Sequence, residues 1–199
     1  MSARAARLFS ALAFFAAAVA GADEQVSVCF NYGCVTEADV VFSDGQLATL
    51  GSLLGRAHTP DEEREAIGDA VGRLLGWAGE QSPISADRGG NYADDAVSGR
   101  MDCIDHATTA TRLLRLLERR GLLRFHRVLE PAERLRFWVF SHYAAQIEEM
   151  RDGGAQGGEE EGDAPSRFVV DGWFFDNGHP AAVMRLEPWR KGNDPDDGE

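Results

Sequence analysis

The stretch from residue 103 to about 120 carries the strongest helical periodicity in the chain, and a run of consecutive strand-like segments follows it. At about 100° per residue, Ala107, Ala110, Leu114 and Leu117 fall on the side of Cys103. Asp105, Arg112 and Arg119 fall opposite, and Gly121 supplies a stop. The spacing predicts a helix whose first turn holds a thiol on its inward face. A helix N-terminus presents unpaired N–H groups and roughly half a positive charge, both of which favour thiolate over thiol. A cysteine on an apolar helix face is by itself more often a small core residue, so a chemical role needs partners from elsewhere in the chain.

The elements around that helix set the fold class. Residues 26–28 and 40–42 read as short strands flanking a tight loop. Residues 46–54 are apolar enough for a helix ending at Gly55. Thr59-Pro60-Asp61-Glu62 is a helix start, with a capping Thr, Pro at the first helical position and acids in the first turn. That helix extends to about residue 77, with Ile67, Val71, Leu74 and Leu75 on one face. Residues 85–99 are a loop rich in Asp, Gly and Asn that delivers the chain to Cys103. Strands are expected at 125–129, 137–147, 168–175 and 183–186. Helices followed by consecutive strands predict an α+β fold, helices packed on an antiparallel sheet.

Residues 1–22 read as a signal peptide: Arg4 and Arg7, an apolar run over 8–19, then small residues for cleavage. The mature chain is expected to form a single domain over 23–191, with strands and helices in 23–84 and a core in 85–191. A flexible acidic insert at 151–166 and a disordered acidic tail at 192–199 complete the division. No other segment approaches the roughly 18 apolar residues of a membrane span, so none is expected after signal removal. The protein is expected to be periplasmic or secreted. The net charge of −13 becomes more negative still once Arg4 and Arg7 leave with the signal. Such a surface repels nucleic acid and anionic lipid, which excludes both as main partners.

Three cysteines remain. Cys29 and Cys34 are close, with Asn and Gly between them to turn the chain, and an exported chain meets an oxidising compartment. They are expected to pair as a disulfide, leaving Cys103 as the odd, reactive thiol. A metal knuckle built on Cys29 and Cys34 lacks a second ligand pair. A metal site on Cys103 and His106 supplies too few ligands for a closed shell, so no metal or other cofactor is expected.

A thiol nucleophile needs a base in reach, and the base needs an orienting group. Of five histidines, His58 and His126 read as surface residues and His179 sits in a turn. His106 lies one helical turn from Cys103 and is the local rival. His142 opens the strand before the insert, and Asp171 ends the strand after it. If those strands pair antiparallel, the imidazole donates one N–H to Asp171 and faces the thiol with its other nitrogen. The oxyanion donors are then the backbone N–H of Cys103 and a side chain of the preceding loop, Asn91 or Tyr92. Trp138 and Trp173 are candidates to line a cleft, although strand aromatics are more often core.

The order of a Cys at a helix start, a His opening a strand and an Asp ending the next resembles the transglutaminase-like branch of the papain-like cysteine-enzyme superfamily. Met101-Asp102-Cys103-Ile104-Asp105 and Arg167-Phe168-Val169-Val170-Asp171 are similar to the Cys and Asp motifs of its bacterial transglutaminase-like cysteine proteinases. The resemblance spans roughly residues 99–189. It implies a papain-like core, with Cys103 as nucleophile, His142 as base and Asp171 as orienter. It also implies a hydrolase or acyl transferase acting on an amide of a protein or peptide through an acyl-enzyme. A longer His-to-Asp segment and Met101 in place of an aromatic residue depart from that pattern. The competing expectation is a catalytically inactive binding or structural domain that keeps the fold.

Overall fold

The computed structural model describes residues 22–136, 140–150 and 166–195. The expected signal segment (all but Ala22), Trp138 and the expected insert (all but Ser166) lie outside the described residues, as do residues 196–199. Two strands open the fold, β1 (Glu24–Phe30) and β2 (Thr36–Phe42), paired antiparallel. The disulfide Cys29–Cys34 closes the turn between them, as the spacing suggested. Helix α1 (Asp44–Leu54) starts at a capping box in which Ser43 and Gln46 satisfy each other's backbone N–H groups. Helix α2 (Pro60–Gly79) starts where the Thr-Pro-acid signal placed it, with the Thr59 hydroxyl accepting from the Glu62 N–H. A short 3-10 turn, Pro83–Ala86, precedes the long loop.

Helix α3 (Cys103–Arg119) is capped by Asp102, whose carboxylate accepts from the N–H groups of Ile104 and Asp105. Four strands follow, β3 (His126–Arg136), β4 (Phe140–Glu149), β5 (Arg167–Asp171) and β6 (Ala182–Arg185), in one antiparallel sheet in that order. A one-and-a-half-turn helix, α4 (Leu186–Arg190), ends the fold. The architecture is α+β. Helix α3 packs between the β1–β2 hairpin and the sheet. Its Leu113, Leu114 and Leu117 join Ala145, Ile147, Phe168 and Val170 of the sheet in the main core. The other sheet face carries a smaller cluster, Ala132, Ala144, Val169, Leu186 and Trp189, covered by α4.

Three expectations are corrected. Strand β3 continues past residue 129 to Arg136 through a bulge between Leu129 and Ala132, where Pro131 has no N–H for the ladder. His126 is not a surface residue. It is buried, with Nδ1 2.8 Å from the Glu63 carboxylate, itself fully buried. The acidic tail is ordered at its start: the Arg134 guanidinium bonds the Asn193 carbonyl and the Asp194 carboxylate.

Candidate active site

The loop before α3 must bring Cys103 to a defined place, and two interlocks fix it. Asp87, fully buried, accepts from the Met101 N–H at 2.9 Å and meets His106 Nε2 at 2.8 Å. Gly99 takes φ +92°, and a Cβ there would sit 2.0 Å from the Pro83 carbonyl oxygen, so only glycine lets the chain pass. The disulfide-closed turn supplies the second interlock. Asn31, Tyr32 and Cys34 all hold positive φ, which turns their N–H groups towards the start of α3. Asp105 accepts from the backbone of Tyr32 and Cys34, and Asp102 accepts from Gly33. Burial and the neighbouring Asp102 carboxylate push Asp105 up to about 6, against the backbone N–H bonds that oppose the shift.

The sheet brings the other two residues. Side chains two apart on a strand share a face. His142 therefore lies on the same side of β4 as Ala144, and Asp171 on the same side of β5 as Val169, the face that α4 covers. His142 Nε2 is 2.7 Å from Asp171 Oδ2. The Asp171 carboxylate is 1% exposed and takes two further donors, the Trp189 indole N–H at 3.1 Å and the Trp173 backbone N–H at 3.2 Å. With Nε2 engaged, Nδ1 is the nitrogen left for the thiol, and His142 and Cys103 line the same cleft. The Cys103 sulfur also sits 3.9 Å from the Ser141 carbonyl oxygen. Cys103 is the one free thiol among the described residues.

Burial disfavours the charged form of His142, but the hydrogen bond and charge of Asp171, with the neighbouring Cys103, outweigh it, and its pKa is raised to about 9. A raised histidine stabilises the fold in its protonated form. That contribution is fully present below about pH 6.5, the ordinary value, and is lost as pH rises through about 9. The difference in unfolding free energy between the wild type and His142→Gln should therefore shrink between pH 6 and values above 9, read from urea titrations at each pH.

These residues open onto a cleft of about 480 Å³ lined by Cys103, His142, Tyr32, Tyr92, Trp173, Phe174, Asp102, Ser141, Arg134 and Asp194. The His142 ring is enclosed by aromatics, with ring centroids of Trp173, Phe174 and Trp189 at 5.1, 5.7 and 5.8 Å. Comparison with protein-family models, curated proteins and solved structures finds no match in any of the three.

The remaining expected site residues divide. Tyr92 stands at the rim, 80% exposed, its ring edge-on to Trp173 at 4.8 Å. Asn91 does not line the cleft, and its amide N–H donates to Asp94 at 2.8 Å. The rival base His106 is buried and held by Asp87. Tyr32, Trp189, Arg134 and Asp194 are among the participants that the sequence does not mark. Tyr32 lies in the turn between Cys29 and Cys34, and its hydroxyl donates to Asp94 at 2.5 Å; burial and that carboxylate push it up to about 12, so it stays a neutral donor. Trp189, an aromatic residue just past the last expected strand, was the one available signal.

Proposed function

We propose that the protein is a thiol-dependent acyl hydrolase or acyl transferase acting on amide bonds, with Cys103 as nucleophile, His142 as base and Asp171 as orienter, on a papain-like, transglutaminase-like core. The single observation that carries the reading is the His142–Asp171 hydrogen bond beside the free thiol of Cys103, the imidazole and the thiol lining one aromatic cleft. With its proton already on His142 Nδ1, the Cys103 sulfur attacks the amide carbonyl carbon. The tetrahedral oxyanion meets the backbone N–H of Cys103, which as the first residue of α3 has no intrahelical acceptor. The C–N bond breaks, and His142 gives its proton to the departing nitrogen. Water or an amine then attacks the thioester, His142 takes its proton, and the sulfur leaves. Asp171 holds the ring and stabilises its charge without being protonated.

Export through the signal segment and an oxidising compartment agree with the Cys29–Cys34 disulfide, and no described helix is long and apolar enough to cross a membrane. The substrate is a protein or peptide. An acyl-enzyme trap tests the reading: p-nitrophenyl acetate should release a burst of one nitrophenolate per chain and leave one acetyl group on Cys103 in the intact-mass spectrum. Linear release without a burst, or acetylation elsewhere, would remove the nucleophile and leave the binding-domain alternative.

A further inference from the structure

The guanidinium of Arg134 belongs to the cleft but not to the line of residues above. Its side chain is 2% exposed, and it stands directly opposite His142 in the β3–β4 register, on the same sheet face. Its two ends do different things. Nη1 donates to the carbonyls of Trp189 and Asn193, both at 2.9 Å, and the cation lies 4.8 Å from the centre of the Trp189 ring. This end anchors the C-terminal segment. The other edge, Nε together with Nη2, is the geometry that takes a carboxylate side-on through two parallel bonds. Here that edge is half used. Nη2 donates to Asp194 Oδ1 at 2.5 Å, while the buried Nε has no hydrogen-bond acceptor among the described residues. Asp194 is 38% exposed and lines the same cleft as Cys103.

We propose that Arg134 is the specificity residue of the cleft, selecting amides that carry a carboxylate close to the scissile bond, and that Asp194 occupies its carboxylate position in the free protein. The inference rests on the reading of Cys103 as nucleophile. A buried cation facing a cleft needs an anion, and an arriving carboxylate that engages both Nε and Nη2 satisfies a donor that Asp194 leaves unmet. The aromatic walls of Tyr32, Tyr92, Trp173 and Phe174 hold the remainder of such a substrate and keep the ion pair from water. A substrate of this class competes with the chain's own residue 194, so the pairing sets a threshold for entry.

The test uses thiol reagents in matched pairs on the full chain, one member neutral and one bearing a carboxylate: iodoacetamide with iodoacetate, and N-ethylmaleimide with 3-maleimidopropionate. The quantity read is the ratio of the two alkylation rates at Cys103 within each variant. Removing the resident carboxylate in Asp194→Asn should raise the carboxylate-to-neutral ratio by about tenfold in at least one pair, the size of a charge-assisted bond gained. Arg134→Gln should lower the ratio to that of glutathione, and Asp194→Asn in that background should raise it no further. If Arg134→Gln is unfolded by circular dichroism, Arg134→Lys replaces it; the charge stays, the two-armed edge is lost, and the ratio should still fall. An unchanged ratio in Asp194→Asn overturns the proposal. So does an equal rise in the double variant, which would make the effect a general field of the lost charge. Failure of the nucleophile reading shows separately, as neutral reagents that react no faster with wild type than with His142→Ala.

Discussion

Replacing His142 with alanine should slow acetyl-enzyme formation by about 10⁴-fold, because nucleophile and base act as one unit and the loss of either removes most of what both supply. The same variant should also lose thiol reactivity below neutral pH. In the wild type His142 keeps its proton up to about pH 9, so an imidazolium faces the sulfur across the neutral range. Iodoacetamide should alkylate Cys103 well below the free-thiol range of about 8.5, and in His142→Ala the rate should fall away with pH as for an ordinary thiol. Asp171 separates orientation from charge. Asp171→Asn keeps an acceptor for the Nε2 proton, whereas Asp171→Ala leaves the ring, the Trp189 indole and the Trp173 N–H without one. Both should slow turnover, the alanine more. His106→Ala should leave the pH profile of alkylation in place and act on stability instead, because His106 is paired with buried Asp87. A profile that follows His106 and ignores His142 would reverse the assignment.

The largest stability effect is expected far from the cleft. Glu63 and His126 are both fully buried in their side chains, 2.8 Å apart. The same carboxylate accepts the backbone N–H groups of Arg124 and Phe125 at 2.6 and 2.8 Å, at the entrance to β3. Glu63→Ala leaves a buried imidazole and two backbone donors without their acceptor, and should cost roughly 3–5 kcal/mol of unfolding free energy. Glu63→Gln keeps an acceptor and should cost less. Burial works to raise the Glu63 pKa, but the bonds from His126 and the two backbone N–H groups hold it below the ordinary carboxylate value. A depressed acid stabilises above its unfolded pKa of about 4.3 and loses that contribution as pH falls through the lower folded value. Urea titrations should therefore show the gap between wild type and Glu63→Ala narrowing in acid. Cys103 alkylation per folded molecule should not change.

What the sequence disclosed and what it hid follow from the range of the interactions. Helix α3 was legible because an apolar stripe and a terminal glycine are local signals. The His142–Asp171 pairing was legible because strand order and strand ends constrain which residues can meet. His126 was not: its polar neighbours describe a surface strand, and nothing near it in sequence announces Glu63 on α2. The start of α4 at Leu186 is hidden because Leu186 continues the strand-like run of Val183 and Met184, broken only by Arg185. Arg134 sits in a charged strand beside exposed Glu130 and Glu133, and nothing local marks it as the buried member. Asn91 lies near Cys103 along the chain, which makes it an oxyanion candidate from sequence, yet its amide is committed to Asp94.

The cleft draws on residues from both ends of the described chain, Tyr32 from the first hairpin and Asp194 from beyond the last helix. On the ribosome these emerge in order, at about 5–20 residues per second. A nascent chain that ends before residue 171 has the thiol and the imidazole but no carboxylate to turn the ring. One that ends before residue 189 has the carboxylate without the indole that closes over it. The environment of Cys103 is thus complete only once residue 194 has been added, and until then the thiol travels as an ordinary side chain at the head of a helix.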